Sequence, residues 1–467
     1  MTITIAFNKE VPLYKQLYGF IKNEIKEGNI KVGDKMPSKR SLSSHLKVSQ
    51  NTIETAYQQL AAEGYIKAVP KSGFYVCEIE DLPAPSEIKP RCTLQNIKEL
   101  KPKQYQYDFR TNTVDTAYFP FSTWAKISKE IIHDENRELL KTTHPQGDYH
   151  LRESISKYLH HYRGVNCLPE QIIIGAGTEY LFGLIIQLLG RNRVYAIENP
   201  GYSKTHKILK SYNANLDLIG LDEDGLKVDD LARSNSNVVY ITPSHHFPLG
   251  IIMPITRRMQ LLKWANQSED RFIIEDDYDS EFRFNGCPIP ALQGLDTNEK
   301  VIYISTFSNS IAPSIRISYI VLPMLLLQRY NDEYSFYSST VSRFEQYTLY
   351  RFIQGGHFER HLNRMRNVYR SRKDTLIEEI KKLSFGEKIE IIGENAGLHL
   401  MLRVQGYLTE NELVTRAEKV GIKLYGLSEY YLAPDEAMPN NVVVIGYSNY
   451  DKSEIAKAVH LLNEAWT

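Results

Sequence analysis

The N-terminal part of the chain is a series of short amphipathic stretches separated by turn residues. In residues 10–27 the apolar side chains recur with the spacing of one helix face. Ser38 and Ser49 each precede another helical pattern, where a serine oxygen can accept a hydrogen bond from a free amide of the first turn. Two short β patterns follow, at residues 65–69 and 74–77. This order predicts a helix, a helix-turn-helix and a two-stranded wing.

The rest of the chain, from about residue 107 onward, alternates apolar β-branched runs with helical stretches. Such alternation is typical of an α/β fold with a doubly wound, mostly parallel sheet. Residues from about 355 to 467 mix long charged helices with short strands, which predicts a smaller α+β part. The strand candidates of the main sheet are residues 172–174, 194–197, 216–221, 238–242, 272–275, 301–305 and 317–322.

These patterns divide the chain into two domains and a linker. We predict a winged-helix domain over residues 1–78, a linker over 79–106 and a larger domain over 107–467. The linker is rich in proline and has no sustained periodicity, which favours a semi-extended segment. Within the larger domain, we expect a large part at about 155–350 and a small part at about 107–154 and 351–467.

Charge is distributed unevenly between these regions. The 467 residues contain 42% hydrophobic and 24% charged residues, with a formal net charge of zero. Residues 1–78 carry eleven Lys or Arg and seven Asp or Glu, a net charge of +4. This modest basic excess is compatible with a small DNA-binding domain.

The cysteine spacing and the length of the apolar stretches indicate in which cellular compartment the protein functions. The four cysteines are far apart and have no C-x-x-C spacing, which favours unpaired thiols in a reducing cytosol and no metal site. The first residues lack a basic segment followed by an apolar one, so we expect no signal peptide. The strongest apolar stretch, residues 180–190, is too short to span a bilayer. We predict a cytoplasmic protein without a membrane partner.

Short polar residues at the start of the third predicted helix are candidates for reading DNA. The run S-Q-N-T at 49–52 offers hydroxyl and amide groups that can reach base edges or phosphates in a major groove. A cation on the preceding helix and another in the wing would hold the DNA backbone. The alternative is that all of these are capping and solvated residues of an ordinary helical subdomain. The predicted DNA-binding residues are Arg40, Ser49, Gln50, Asn51, Thr52 and Lys71.

The same region resembles the winged helix of the GntR family. The resemblance is carried by P-S-K-R-S-L at 37–42, V-S-Q-N-T-I at 48–53 and G-F-Y-V at 73–76. It implies a double-stranded DNA operator as partner, with the third helix in the major groove. Gln50 stands where the family most often has arginine, and glutamine favours adenine. Lys71 stands where the wing pattern of the family has its first glycine.

Candidate phosphate-binding and ring-binding residues follow several strands of the larger domain. Gly177 and Thr178 begin a helix, where backbone amides can approach a phosphate. Arg316 can add planar, charge-assisted hydrogen bonds to phosphate oxygens. Asp276 lies in an acidic run that closes another predicted strand. Each signal alone is weak, because a lone G-x-G is usually a turn and an acidic strand end is usually a solvated loop.

The run T-F-S-N at 306–309, with Arg316 after it, resembles the cofactor-lysine segment T/S-F-S-K-x6-R of fold-type I pyridoxal-phosphate enzymes. The lysine of that family forms the Schiff base to pyridoxal 5'-phosphate and moves the proton in transamination. Asn309 stands at the position of this lysine, and an amide can do neither. The resemblance therefore implies no catalytic residue and, for any bound cofactor, a noncovalent complex. The cofactor-binding residues that it implies are Gly177, Thr178, Tyr202, Asp276, Tyr278, Thr306, Ser308, Asn309 and Arg316.

The whole chain resembles the MocR/GabR family of transcriptional regulators, in segments such as T-P-S-H-H-F-P at 242–248 and I-E-D-D-Y-D-S-E-F at 274–282. The resemblance implies a fold-type I aminotransferase-like domain that senses a small-molecule effector through pyridoxal phosphate. It also implies a head-to-tail homodimer. Asn449 is a second departure, because it ends the segment G-Y-S-N where the GABA-binding branch has an arginine for the effector carboxylate.

The sequence therefore predicts a DNA-binding transcriptional regulator whose larger domain senses pyridoxal phosphate or a related metabolite without catalysis. Two alternatives stay open: a pyridoxal-phosphate-dependent aminotransferase with an appended DNA-binding domain, and a regulator whose larger domain is a cofactor-free dimerisation scaffold. The enzyme requires the lysine that Asn309 replaces. Asn309 itself is compatible with a natural loss, an engineered substitution or a sequence error, since one nucleotide change converts a lysine codon into an asparagine codon.

Overall fold

The computed structural model contains two compact units, residues 1–102 and 103–467, and each is described by itself. The predicted linker lies outside the described residues up to residue 102. The described residues are 3–8, 11–78, 103–133, 137–284, 289–406, 408–433 and 438–467.

The N-terminal unit consists of three helices followed by an antiparallel hairpin. Serine caps begin the second and third helices: Ser38 Oγ accepts a hydrogen bond from the Ser41 amide at 3.1 Å, and Ser49 Oγ accepts one from the Thr52 amide at 3.1 Å. The elements are α1 (Leu13–Lys26), α2 (Lys39–Leu46), α3 (Gln50–Ala62), β1 (Ile66–Val69) and β2 (Gly73–Val76).

These elements enclose one apolar core. Leu17 and Ile21 of α1 pack with Tyr57 and Leu60 of α3, and all four side chains are fully buried. Helical apolar spacing selects these positions in the sequence. The turn between β1 and β2 contains Lys71, whose φ of 65° lies in the left-handed region. The predicted winged helix-turn-helix is confirmed, with element limits that differ by a few residues.

The C-terminal unit contains strands and helices in alternation. None of the helices in the described part of the chain combines the length and apolarity that a membrane crossing requires. The strands are β3 (Tyr107–Asp108), β4 (Ile172–Gly175), β5 (Val194–Asn199), β6 (Asn215–Asp222), β7 (Gly225–Leu226), β8 (Val238–Ile241), β9 (Phe272–Asp277), β10 (Val301–Thr306), β11 (Ser318–Val321), β12 (Ile389–Ile392), β13 (His399–Val404), β14 (Ile422–Lys423), β15 (Tyr425–Gly426) and β16 (Val442–Gly446). The helices are α4 (Phe121–His133), α5 (Tyr149–Arg163), α6 (Thr178–Leu189), α7 (Ser203–Ser211), α8 (Val228–Arg233), α9 (Ile255–Asn266), α10 (Met324–Glu333), α11 (Arg343–Gln354), α12 (His357–Lys381), α13 (Glu410–Lys419) and α14 (Lys452–Trp466).

Within the described residues, eight strands form the main sheet in the order β4-β11-β10-β9-β8-β5-β6-β7. The central pairs β10-β9, β9-β8, β8-β5 and β5-β6 are parallel. Strand β11 runs antiparallel to both of its neighbours, β4 and β10. The predicted doubly wound, mostly parallel sheet is confirmed. The direction of β11 could not be predicted, because an apolar run looks the same in either direction.

A smaller antiparallel sheet, β12-β13-β16-β15, packs with helices α12, α13 and α14. Strand β3 at the start of the unit pairs with β14, so that Tyr107 and Phe109 are buried in this same core. By contrast, Ile127 of α4 and Leu151 of α5 are buried in a core that includes strands of the main sheet. The first part of the unit therefore contacts both cores.

Candidate functional site

The carboxyl ends of the parallel strands of the main sheet surround a cavity of about 200 Å³. Its walls come from the segments that follow β5, β9 and β10 and from the turn between β4 and α6. Parallel strands direct their C-terminal loops to one edge of the sheet, which is where open α/β folds bind ligands. The cavity is lined by every cofactor-binding residue predicted from the sequence: Gly177, Thr178, Tyr202, Asp276, Tyr278, Thr306, Ser308, Asn309 and Arg316.

Strand β9 ends in three consecutive acidic residues, and strand alternation directs only the middle one, Asp276, into the cavity. Glu275 is fully buried and accepts hydrogen bonds from two backbone amides, at 2.7 and 2.8 Å. Asp277 is also buried and forms an ion pair with Arg163, at 2.7 Å between Oδ2 and Nε. The two outer carboxylates are therefore structural, and Asp276 is the one that a bound molecule can reach.

The Asp276 carboxylate is held at one oxygen and unpaired at the other. The Tyr240 hydroxyl donates a hydrogen bond to Oδ2 at 2.6 Å. Oδ1 is buried and has no hydrogen-bond partner among the described residues. Burial raises the pKa of Asp276 to about 7, although the Tyr240 hydrogen bond acts to lower it. An unpaired buried oxygen is costly, and a protonated ring nitrogen in the cavity would satisfy it.

A cationic corner of the cavity, which we call the phosphate corner, consists of Gly177, Thr178, Ser308 and Arg316. Gly177 has a φ of 95°, a backbone conformation that favours glycine, and the Arg316 guanidinium lies directly against its Cα. Arg316 Nη2 also donates to the Ala176 carbonyl at 3.2 Å. The hydroxyls of Thr178 and Ser308 make no hydrogen bond with any described residue. Helix amides, two available hydroxyls and a guanidinium together suit a phosphate group.

Thr306 lines the same cavity, but its hydroxyl is engaged by the protein. Oγ1 accepts hydrogen bonds from the Ser308 amide at 3.1 Å and from the Ser318 hydroxyl at 2.8 Å. Its own hydrogen points to the Ile317 carbonyl at 3.4 Å. These contacts shape the turn after β10, and this turn presents Ser308 to the cavity.

Aromatic side chains form walls of the cavity. Tyr202 packs edge to face on Phe247, with ring centroids 5.5 Å apart. Burial raises the pKa of Tyr202 to about 12, so its phenol is neutral. The Tyr278 hydroxyl lies 3.0 Å from Nδ1 of His245, which itself lies 2.8 Å from Oδ2 of Asp279. Fixed aromatic walls of this kind suit a flat ring.

Asn309 lies in the cavity wall with its amide bonded to the backbone. Nδ2 donates a hydrogen bond to the Tyr278 carbonyl oxygen at 3.0 Å. A carboxamide nitrogen is neither a base nor a nucleophile at neutral pH, so this side chain cannot bind an aldehyde covalently or transfer a proton. It can hold the turn after β10 against the end of β9.

Positive charge in the cavity is confined to one region. Among the described residues that line it, the cationic side chains are Arg316 and Lys204, and both pair with the carboxylate of Glu179. Asn449 is exposed and is not part of the lining. A ligand carboxylate distant from the phosphate corner would therefore meet no cation of this lining.

Sequence reasoning missed part of the lining. Glu179 directly follows the predicted Thr178, and Lys204 lies two residues after the predicted Tyr202, so both could have been found from that proximity. Tyr240 carries a hydroxyl within a buried strand, which signals that a hydrogen-bond partner lies near. Asn112 comes from the segment after β3, and only the folding of the chain brings it here. The lining residues that were not predicted are Asn112, Glu179, Lys204, Tyr240, Thr242, Phe247, Pro313 and Ser318.

In the N-terminal unit, the predicted DNA-binding residues lie on α2, at the start of α3 and in the turn between β1 and β2. Arg40, Gln50, Asn51 and Lys71 are exposed. Their side chains make no hydrogen bond or ion pair with any residue of the described ranges. They are therefore available to an external partner.

Ser49 and Thr52 are the exceptions among these candidates, because they bond to each other. Their hydroxyl oxygens lie 2.9 Å apart, and Ser49 Oγ also accepts from the Thr52 amide. Their first role is to cap α3, which sets the direction in which Gln50 and Asn51 project.

Two family profiles match the chain. The profile described as "Bacterial regulatory proteins, gntR family" matches residues 13–76, and the profile described as "Aminotransferase class I and II" matches residues 105–434. The crystal structure of Pyrococcus horikoshii kynurenine aminotransferase is similar, with a TM-score of 0.68 and 22% identity, over 83% of this chain and 97% of that chain. This likeness shows the fold alone.

Several relatives match this chain over nearly its whole length and over nearly the whole of their own. An uncharacterized HTH-type transcriptional regulator of Bacillus subtilis, YdeL, is 41% identical over 100% of both chains. The probable rhizopine catabolism regulatory protein MocR of Rhizobium meliloti is 30% identical, over 98% of this chain and 94% of its own. The HTH-type pyridoxine biosynthesis transcriptional regulator PdxR of Corynebacterium glutamicum is 29% identical, over 98% of this chain and 99% of its own. The chain therefore belongs to the MocR-type transcriptional regulators, in which a GntR-type DNA-binding domain is fused to an aminotransferase-like domain.

Proposed function

We propose that this regulator binds pyridoxal 5'-phosphate, or a related phosphorylated vitamer, noncovalently in its aminotransferase-like domain and senses it without catalysis. The observation that carries the proposal is the buried, unpaired Oδ1 of Asp276, which faces the cavity while Tyr240 holds Oδ2. A site for a simple anion has no use for such a carboxylate. A phosphorylated pyridine ring requires one, because its protonated nitrogen is a hydrogen-bond donor.

The residues of the cavity fit such a ring and its phosphate. Gly177, Thr178, Ser308 and Arg316 would hold the phosphate, and Tyr202 would pack on the ring. Tyr278 would bond to the ring hydroxyl. When bound, pyridoxal phosphate supplies an aldehyde and an electron-withdrawing ring, while the chain itself only binds and orients it.

We propose that Asn309 stands where aminotransferases have their cofactor lysine. Supporting this, Asn309 follows β10, lines the cavity and bonds to the Tyr278 carbonyl beside the end of β9. Without an amine at position 309, the turn after β10 offers no group that bonds covalently to the ligand or transfers the proton. We therefore propose that the protein has no transaminase activity.

The sensed molecule is then the vitamer itself and not an amino acid. The cavity lining offers cations only beside Glu179, so a second carboxylate on the ligand finds no partner among the described lining residues. The relative PdxR is a pyridoxine biosynthesis transcriptional regulator, which agrees with a vitamer as effector here.

For the N-terminal domain, proposed over residues 1–78, we assign DNA contacts by chemistry. Arg40 and Lys71 would contact phosphates, and Gln50 and Asn51 would read bases. Ser49 and Thr52 would contribute mainly by fixing the start of α3.

We also propose that the protein is a homodimer with a head-to-tail arrangement. The C-terminal unit carries large apolar side chains that are strongly exposed, and subunit contacts commonly bury such groups. Examples are Phe121 (68% exposed), Ile132 (67%) and Leu140 (76%). Light scattering on the purified chain tests the dimeric state, and a monomer at micromolar concentration would contradict the proposed dimer.

Isothermal titration calorimetry on the full chain tests the ligand proposal. We expect pyridoxal 5'-phosphate to bind in a fully dialysable manner, and pyridoxal without phosphate to bind far more weakly. Arg316→Ala should remove most of that difference, because the guanidinium supplies the charge-assisted bonds. Arg329→Ala, an exposed arginine of α10 outside the cavity, is the matched control.

The same titration separates the alternatives. No binding heat up to millimolar pyridoxal phosphate would favour a cofactor-free scaffold. A protein-bound absorbance band that borohydride reduces to a stable adduct would instead favour an enzyme with an appended DNA-binding domain.

A further inference from the structure

A carboxylate of the chain itself occupies the cationic region of the cavity. Glu179 lies in the first turn of α6, and its Oε2 is 2.8 Å from Nη2 of Arg316. Its other oxygen, Oε1, pairs with Nζ of Lys204 at the start of α7. All three side chains line the cavity. The two cations that a ligand phosphate could use are therefore both paired with one internal anion.

The position of Arg316 places this ion cluster directly at the phosphate corner. An added Cβ at Gly177 would lie 2.2 Å from Arg316 Nη2 and 2.7 Å from Glu179 Oε2, so both charged groups lie against the Gly177 backbone. Helix N-termini attract anions at this point because their backbone amides are unpaired and the helix dipole is positive there. Glu179 and a ligand phosphate would thus both be stabilised by the positive electrostatic potential at the N-terminus of α6.

The ion pairs between Glu179 and the two cations, Lys204 and Arg316, can be replaced by ion pairs to another anion. The side chains of Glu179, Lys204 and Arg316 are 30%, 47% and 50% exposed, so water reaches all three. Burial acts to raise the pKa of Glu179, but hydrogen bonds from Lys204 and Arg316 outweigh it and lower the pKa to about 2. The carboxylate is therefore charged at every physiological pH. Ion pairs this exposed are individually weak, so replacing one anion by another has a small energetic cost.

We infer that Glu179 competes with the ligand phosphate for Arg316 and Lys204, and that Lys204 is a second cationic ligand of the phosphate. The inference rests on the proposed function, because it concerns the phosphate of the same ligand. Binding exchanges one carboxylate for a phosphate group between the two cations. Glu179 thereby sets the ligand concentration at which the sensor responds.

The exchange also favours a doubly charged phosphate over a singly charged one. Glu179 already supplies one negative charge to the cations, so a monoanion gains little by replacing it, whereas a dianion adds a charge. The second ionisation of a phosphate ester has a pKa of about 6. Affinity for the phosphorylated ligand should therefore increase as the pH rises from 5.5 to 7.5, a range in which Asp276, with a pKa of about 7, also becomes ionised.

Calorimetric titration of the full chain with pyridoxal 5'-phosphate tests the inference. Glu179→Gln keeps the size of the side chain and removes the competing charge, and we expect about tenfold tighter binding. Lys204→Gln should weaken binding by about tenfold, in the original chain and in the Glu179→Gln background alike. Lys207→Gln, which removes an exposed lysine of the same helix outside the cavity lining, should change the affinity less than twofold.

The outcomes separate this inference from the proposed function. If the unchanged protein binds the ligand but Glu179→Gln binds equally or more weakly, Glu179 only positions Arg316 and the inference is wrong while the proposed function stands. If neither protein binds up to millimolar ligand, both fail. Borohydride treatment followed by mass spectrometry should leave Lys204 unmodified, and a covalent adduct on Lys204 would overturn its assignment as an ionic ligand.

Discussion

The Tyr240 hydroxyl donates a 2.6 Å hydrogen bond to Oδ2 of Asp276, and this bond leaves Oδ1 as the oxygen that faces the cavity without a partner. The two residues lie on adjacent parallel strands, β8 and β9. Burial raises the pKa of Asp276 to about 7, and the Tyr240 bond opposes this rise by stabilising the charged form. Tyr240 therefore orients the carboxylate and favours its ionised form, which is the form that pairs with a protonated ring nitrogen.

Removing the Tyr240 hydroxyl should weaken ligand binding. In Tyr240→Phe the pKa of Asp276 rises further, so less of the carboxylate is charged at pH 7 and pairing with a protonated ring nitrogen is weaker. We expect pyridoxal phosphate to bind about tenfold more weakly at pH 7 in calorimetric titrations. Tyr195→Phe removes a buried hydroxyl from β5, outside the cavity lining, and should leave the affinity unchanged. Equal affinities for Tyr240→Phe and the unchanged protein would contradict the orienting role.

Asp276→Asn should stabilise the fold at neutral pH while it removes ligand binding. Burial raises the pKa of Asp276 from 3.8 to about 7, so the folded state binds this proton more tightly than the unfolded state does. The stability that it contributes is complete below pH 4 and is lost as the pH rises to about 7. The amide of the Asp276→Asn variant has no proton to release, so its stability does not fall in this range. We expect its free energy of unfolding to exceed that of the unchanged protein by about 2 kcal/mol at pH 8, with a smaller difference towards pH 5.

Unfolding curves of the full chain at pH 5 and pH 8 measure this effect. Asp270→Asn, a substitution at a carboxylate that is 74% exposed, is the control and should show no such pH-dependent gain. A larger gain at pH 5 than at pH 8 would reverse the sign and refute the assignment.

Asn309→Lys should restore covalent attachment. The introduced amine would enter the cavity that Asn309 lines, beside the end of β9. We expect an absorbance band that persists through dialysis, and an adduct after borohydride reduction that mass spectrometry places at position 309. Asn449→Lys makes the same exchange at an exposed position outside the lining and should give no adduct. The unchanged protein should show no transaminase turnover, since general acid–base catalysis alone contributes roughly 10²–10⁴-fold.

Arg40 and Lys71 should contribute to DNA binding through phosphates. Replacing either by alanine should weaken binding to all DNA sequences and reduce the slope of log K against log salt by about one. Fluorescence anisotropy across a salt series measures both effects. Lys26→Ala removes a positive charge from the end of α1, and its slope should match that of the unchanged protein. A normal slope for Arg40→Ala would contradict the placement of α2 beside the DNA backbone.

Gln50 should affect which base is preferred more than how tightly DNA in general is held. It is exposed, is the first residue of α3 and has no partner among the described residues. Gln50→Arg should shift preference from adenine to guanine at one operator position, by about 1–3 kcal/mol in discrimination. Selection from a randomised operator pool would detect the shift, and an unchanged base preference would rule out base contact by Gln50.

Much of the fold could be predicted from the chain because local signals and global structure agree. Serine caps and helical apolar spacing locate α2 and α3, and both depend on neighbouring residues alone. Apolar β-branched runs locate the strands of the main sheet for the same reason. Parallel strands send their carboxyl ends to one edge, so residues such as Tyr202 and Asp276 could be expected to meet.

The tertiary structure alone decided the rest, because it depends on partners that are distant in the sequence. Sheet pairing set the direction of β11, and it directed Asp276 to the cavity while Arg163 and backbone amides engaged the two flanking acids. Folding brought Asn112 and Tyr240 into the lining. The sequence by itself determined which chemical groups are present, including the carboxamide of Asn309 in the segment after β10. Only the packed chain shows that Glu179 already pairs with both cations of the cavity lining, Arg316 and Lys204, since an ion pair depends on distances between side chains that no local pattern encodes.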